Sequence, residues 1–250
     1  MKKYVTVHMH CYQPPREDPW LGVIEQQPSA APSHDWNERI NNECYEPNGF
    51  ARLMGEGGRV ARMVNNYEFA SFNIGPTLLT WMAEYAPQTL ARIIQGDCRS
   101  RNRNNGHGNA IAQVYNHIIM PLASQKDKDT QVKWGIAVFE QYFGRKPEGM
   151  HLAETAVDTA TLEVLAANGI KFTVLAPRQA KCWRAISETD GEWQSHGGVD
   201  PSRAYLCHLP SGKTISLFFY DGPISQAVAF ERLLESGDKF NSRILSGFSD

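Results

Sequence analysis

The sequence predicts an α/β protein with a largely parallel sheet, most simply closed into a barrel, with a doubly wound open sheet as the alternative. Three observations lead there. Short β-branched runs alternate with stretches of helical period, as at residues 70–74, 128–143 and 170–175. The first run, residues 3–10, is followed by no Gly-x-Gly-x-x-Gly, and the chain has no phosphate-loop motif, which weakens a nucleotide-binding fold. A chain of 250 residues can bury one large core, so one domain over 1–250, or at most two, is expected.

Composition narrows the function classes. A net charge of −2 gives no electrostatic case for nucleic acid or for an anionic membrane. No run approaches the ~20 apolar residues of a membrane helix, and the N-terminus lacks a signal-peptide core. The five cysteines are odd in number and form no Cys-x-x-Cys pair, which fits reduced thiols and a cytoplasmic location better than a structural zinc site. No cofactor is expected.

In chain order, Lys3 to His10 reads as the first strand, broken by Gln13-Pro14-Pro15. Residues 16–50 show no helical period and read as a long ordered loop around Asp35-Trp36-Asn37-Glu38-Arg39. Residues 59–67 read as a helix and 70–74 as a strand, after which Thr77 caps a helix bearing Leu78, Leu79, Trp81 and Met82. Another helix spans 87–96. Residues 97–109 read as a solvated loop, 110–114 as a third strand, and 128–143 as an amphipathic helix with Val132, Ile136, Phe139 and Phe143 on one face. A helix over 156–168 stops at Gly169, and a strand follows at 170–175. Residues 181–203 read as irregular. Residues 205–209 and 214–220 form a hairpin around Ser211-Gly212, with a helix over 225–234.

The segment 148–158 organises this pattern. An apolar run, Met150 to Ala153, ends at Glu154, and a helix capped by Thr155 or Asp158 follows. Glu154 is therefore expected at the C-terminal tip of a strand, the rim where barrels gather catalytic groups. A carboxylate there can act as nucleophile, acid, base or ligand, or can simply bind the amides of the helix start. His8 and His10 alternate on the first strand and share a face, where two imidazoles can bind a metal or sugar hydroxyls. In Gly106-His107-Gly108-Asn109 the glycines allow close approach of backbone to a ligand, or form a plain turn.

Taken together, these segments resemble glycoside hydrolase family 57. His8-Met9-His10-Cys11-Tyr12-Gln13-Pro14 is similar to the family's first motif. Gly106 to Leu122, containing Tyr115-Asn116-His117, is similar to its second, and Gly149 to Asp158 to its third. Asp35 to Arg39 and Phe218 to Pro223 resemble a bacterial branch of longer members.

The resemblance implies a distorted seven-stranded (β/α) barrel and retaining chemistry on α-glucans, by hydrolysis or by glucan transfer. It implies Glu154 as nucleophile, with His8, His10, Gln13, Trp36, His107, His117 and His151 among the groups around the sugar. Trp36 or Trp81 would stack on glucose rings. His151 stands where the family often has Trp. The family's acid is an Asp in an Asp-Gly-Glu-like motif after a later strand. Asp190-Gly191-Glu192 lacks a preceding strand and reads as a surface turn, so the acid is expected beyond Asp250, with Asp221 as the fallback. The polar end at 246–250, with no closing strand, reads as the N-terminal part of a longer chain. The rival expectations are a metal-dependent hydrolase using His8 and His10, and a glucan-binding protein without catalysis.

Overall fold

The computed structural model of the protein describes residues 4–186, 191–195 and 198–248. Lys3, Asp190 and residues 249–250, on which parts of the expectations above rest, lie outside these. The chain divides into two compact units. One comprises Thr6–Ile118 with Asp129–Glu148; the other comprises Met1–Val5, Ile119–Lys128 and Gly149–Asp250.

The N-terminal unit opens with β1 (His8–Cys11), a strand that starts later than its β-branched lead-in implies. The stretch expected to be a loop contains α1 (Trp36–Ile40), a wide turn over Asn41–Tyr45 and α2 (Glu46–Gly49). Its start was legible: the Asp35 carboxylate accepts hydrogen bonds from the Asn37 and Glu38 amides, as an N-cap does. Residues 59–67 do not form the expected helix, apart from a single 3-10 turn that begins at Asn66. They contribute β3 (Val60–Val64), paired antiparallel with β2 (Ala51–Met54). Gly57 and Gly58, at φ 66° and 72°, turn the chain between them, a signal that overrides the helical spacing.

Next come β4 (Ser71–Ile74), α3 (Pro76–Tyr85) and α4 (Pro87–Arg103). Pro76 at the first turn starts α3, and Thr77 donates its hydroxyl to the Gln13 carbonyl at 2.7 Å instead of capping. Helix α4 runs through most of the expected polar loop because its buried stripe continues as Ile93, Gly96, Asp97 and Ser100. Arg99 and Arg103 on its outer side pair with Glu68 at 3.5 and 3.3 Å. After β5 (Ala110–Gln113) comes α5 (Gln125–Phe143), whose first turn belongs to the other unit. Strand β4 pairs in parallel with β1 on one side and β5 on the other. Phe72, Ile74, Leu78, Met82, Ile93, Val114 and Phe139 form the core.

The C-terminal unit contains β6 (Met150–His151), α6 (Thr159–Ala167), β7 (Phe172–Leu175) and a short antiparallel pair, β8 (Cys182–Trp183) with β9 (Gln194–Ser195), within the stretch read as irregular. The expected hairpin is β10 (Ala204–His208) and β11 (Thr214–Phe219), followed by α7 (Gly222–Phe230) and α8 (Gly237–Leu245). Strand β11 pairs in parallel with β7. On the other side of β7, Gly149 bridges in parallel to Phe172, and Thr173 donates to the Met150 carbonyl at 2.8 Å. Glycine is required there, because a Cβ on Gly149 would lie 2.4 Å from the Phe172 ring. Strands β6, β7 and β11 thus run the same way, and the loops that follow them leave from one edge.

Candidate functional site

In the N-terminal unit, polar side chains converge where β1, β4 and β5 end. Residues two apart on a strand share a face, so His8 and His10, Ser71 and Asn73, and Ile111 and Gln113 line up across the sheet. The buried Asn73 links them. Its Oδ1 lies 3.1 Å from His8 Nε2 and 3.2 Å from His10 Nδ1, and its Nδ2 donates to Gln113 Oε1 at 2.6 Å. His8 uses its other nitrogen on Ser71 Oγ at 3.0 Å. With both ring nitrogens engaged, His8 is not the metal ligand that its spacing from His10 allowed. Burial lowers its pKa to about 4, helped by the charge of His10 and opposed by the Asn73 hydrogen bond.

His10 is exposed, and its Nε2 lies 3.3 Å from Nε2 of His117. His117 occupies the left-handed region, φ 53°, uncommon for a residue other than glycine. Gln131 holds the preceding chain by accepting from the Tyr115 amide at 3.2 Å and the Asn116 amide at 2.7 Å. The Tyr12 ring stacks on His117 with centroids 3.9 Å apart. It fits because Gly75 has no side chain: a Cβ there would lie 2.8 Å from Tyr12 Cδ2. Tyr12, Asn73 and Gln113 were not singled out from the sequence, although the alternation that marked His8 and His10 also marks Asn73 and Gln113 on their strands.

The other expected residues of this unit are placed differently. Gln13 Oε1 accepts from Arg16 at 2.8 Å, while its amide donates to the Tyr45 hydroxyl at 3.4 Å. Trp36 donates to Ser29 Oγ at 3.0 Å, and the Arg39 guanidinium lies 4.8 Å over its ring. Trp81 is only 5% exposed, so it cannot be a stacking surface; Tyr85, stacked on it, is exposed instead. His107 precedes β5, at the opposite end of the strand from Gln113, and meets Glu148 at 2.7 Å. The glycines beside it serve the fold. Gly106 adopts φ 93°, and Gly108 packs against the buried Asp97–Arg145 ion pair, whose atoms a Cβ would meet at 2.3 and 2.4 Å.

In the C-terminal unit, Glu154 follows β6 as expected. It is exposed and sits in a short turn, Ala153–Thr155, with φ 54° and ψ 18°. Thr155 is left-handed as well, at φ 54°. Two consecutive left-handed residues that are not glycine store backbone strain, which surrounding structure must hold in place. The Thr155 amide donates a hydrogen bond to the Leu152 carbonyl and the Ala156 amide to the Ala153 carbonyl, each at 3.0 Å, and these close the turn. Asp158 then caps α6 through the Thr161 amide at 2.7 Å, and its other oxygen takes the Lys128 ammonium at 2.7 Å. His151 is buried on β6. Asp221 follows β11 and caps α7, accepting from the Ile224 amide at 2.9 Å. Beside it lies an open concavity lined by Arg178, Tyr220, Pro223, Gln226 and Phe230.

A carboxylate fixed on a strand edge can attack an electrophilic carbon or move a proton, and facing imidazoles can exchange hydrogen bonds with hydroxyls. Comparison with known proteins bears on which chemistry applies. Residues 2–248 match the profile of glycosyl hydrolase family 57. Among solved structures, the fold is similar to an exo-type maltose-forming amylase from Pyrococcus sp. ST04 (TM-score 0.61, 18% identity, 91% of this chain and 36% of that one). It is also similar to a 4-alpha-glucanotransferase from Thermococcus litoralis (TM-score 0.57, 14% identity, 90% and 29%). A third is an alpha-amylase from Thermotoga maritima (TM-score 0.56, 13% identity, 91% and 47%). The chain therefore spans less than half the length of each of these. No curated protein matches it. Among the described residues, no helix is long and apolar enough to cross a membrane.

Proposed function

Because the chain belongs to glycosyl hydrolase family 57, we propose that it supplies the nucleophile and sugar-binding groups of an enzyme that cleaves or transfers glucosyl units of α-glucans with retention. Its fold reading is a distorted seven-stranded (β/α) barrel, supported by the parallel runs β1–β4–β5 and β7–β11. The names of the similar structures, two amylases and a glucanotransferase, support the substrate class.

The observation that carries the reading is Glu154, an exposed carboxylate on a strained left-handed turn directly after a parallel strand. Its carboxylate attacks the anomeric carbon from the face opposite the departing oxygen. The glycosidic bond breaks as the ester forms, and a second carboxyl group gives the leaving oxygen its proton. Water or a sugar hydroxyl then opens the ester, and the two inversions restore the starting configuration. His10 and His117 exchange hydrogen bonds with sugar hydroxyls, and Trp36 stacks on a ring. His8 acts through Asn73 to orient His10.

Asp221 fits the second carboxyl role less well. It follows a strand two places from β6, an axis separation of about 10 Å, whereas retaining pairs stand ~5–5.5 Å apart. One of its oxygens also caps α7. We assign Asp221 to the helix cap and the acid to another residue.

Chemical rescue tests the nucleophile. Glu154→Ala given azide and an α-glucosyl fluoride forms a β-glucosyl azide, because azide enters where the carboxylate stood. Absence of that product from folded Glu154→Ala, with the wild-type chain still consuming the fluoride, would overturn the assignment.

A further inference from the structure

We infer that the facing imidazoles of His10 and His117 form a preset two-point site for a divalent transition cation of the zinc class. The inference begins with distance. Two nitrogens bound to a tetrahedral ion through bonds of ~2.0–2.1 Å lie ~3.3 Å apart. The two Nε2 atoms lie 3.3 Å apart. An imidazole binds a metal in its own plane, so the ring centroids of such a pair stand ~5.2 Å apart. Here they stand 5.3 Å apart, with only 16° between the planes. Rings stacked face to face would bring their centroids closer, as those of Tyr12 and His117 do at 3.9 Å. The pair therefore meets edge to edge, with its nitrogens converging.

The surroundings supply what a metal-binding histidine needs. A ring that binds through Nε2 carries its proton on Nδ1 and requires an acceptor there. Asn73 meets His10 Nδ1 with both ends of its amide, Nδ2 at 3.0 Å and Oδ1 at 3.2 Å, so Oδ1 accepts from the ring when Nδ1 carries the proton. Asn73 is buried and is held in turn by Gln113. On the other partner, the Tyr12 ring fixes the His117 plane, and Gln131 fixes the strained backbone that presents it. A tetrahedral ion held by these two nitrogens has two further positions for other ligands. Such an ion would occupy the nitrogens assigned to sugar hydroxyls, so the cation would act as a competitor of glucan. That consequence alone rests on the proposed function; the metal site stands without it.

The test is titration of the folded chain with Co²⁺, read by the strong visible absorption of low-coordinate cobalt, and with Zn²⁺ by calorimetry. Both are run near pH 7.5 after the exposed thiols of Cys44, Cys98 and Cys182 have been alkylated. One cation per chain is expected. His10→Gln and His117→Gln should each weaken binding by at least about tenfold while leaving the circular dichroism unchanged. In the unsubstituted protein, the ring signals of His10 and His117 should shift first in NMR spectra as Zn²⁺ is added. No saturable binding, binding that survives both substitutions, or shifts at other histidines first would overturn the site. A maltooligosaccharide should displace Co²⁺. Bound cobalt indifferent to glucan would instead overturn the sugar-binding role of the two histidines and leave the metal site standing.

Discussion

Lys128 and Asp158 meet at 2.7 Å, the lysine side chain 5% exposed and the carboxylate 37%. The pair sits at the end of the strained turn that carries Glu154, because Asp158 also caps the helix that follows. The two partners are not equivalent. Lys128→Met leaves a carboxylate that water can reach and costs about 1.5–3 kcal/mol. Asp158→Ala strands a buried ammonium, costing about 3–5 kcal/mol, and removes the cap besides. Urea unfolding of the two variants should give that order; equal losses would contradict it.

The same pair predicts a pH dependence. Burial pushes the Asp158 carboxyl upward, but hydrogen bonds from Lys128 and Thr161 outweigh it and hold the group below its usual range. A depressed carboxyl contributes stability that is present above its unfolded value, near 4, and lost as pH falls through the folded one. Lys128→Met should therefore lose less stability than the wild type below about pH 4.

His8 acts in a higher window. Its folded pKa is lowered from 6.5 to about 4, so between those values the unfolded chain binds a proton that the fold excludes. Stability then rises with pH across the window and is complete above it, a contribution of at most about 3 kcal/mol. His8→Gln removes the titration. Thermal midpoints measured from pH 4 to pH 7 should climb less steeply for the variant than for the wild type, and equal slopes would count against a buried neutral imidazole.

Gly96 separates helix propensity from packing. Alanine is the better helix former by about 1 kcal/mol in a helix interior. Yet a Cβ on Gly96 would lie 2.6 Å from Tyr67 Cβ and 2.8 Å from the Tyr67 backbone carbon. Gly96→Ala should therefore destabilise the protein, by about 1–3 kcal/mol from overpacking. A raised thermal midpoint would show that α4 can move away from Tyr67.

The sequence was most readable where period and punctuation agreed. The helix over 128–143, the strand at 172–175 and the hairpin from 204 to 219 all carried both signals. It misled where buried positions are polar or small. Asp97 and Ser100 continue the buried stripe of α4, but they look like solvent-facing residues until Arg145, 48 positions later, is known to lie against Asp97. The place of Glu154 directly after a strand followed from a strand, a stop and a cap. The Tyr12–His117 stack depends on a left-handed residue and on the absence of a side chain at Gly75, neither of which an apolar pattern encodes. Buried Trp81 and exposed Tyr85 were indistinguishable by spacing alone.

Labelling with a 5-fluoro-α-glucosyl fluoride tests the central claim most directly. Its anomeric fluoride departs without acid assistance, and its ring fluorine slows opening of the ester that forms. Intact mass should rise by one fluorohexosyl unit, peptide mapping should place it on Glu154, and Glu154→Gln should remain unlabelled. A folded chain that takes no label, or that carries it on another carboxylate, would contradict Glu154 as the nucleophile.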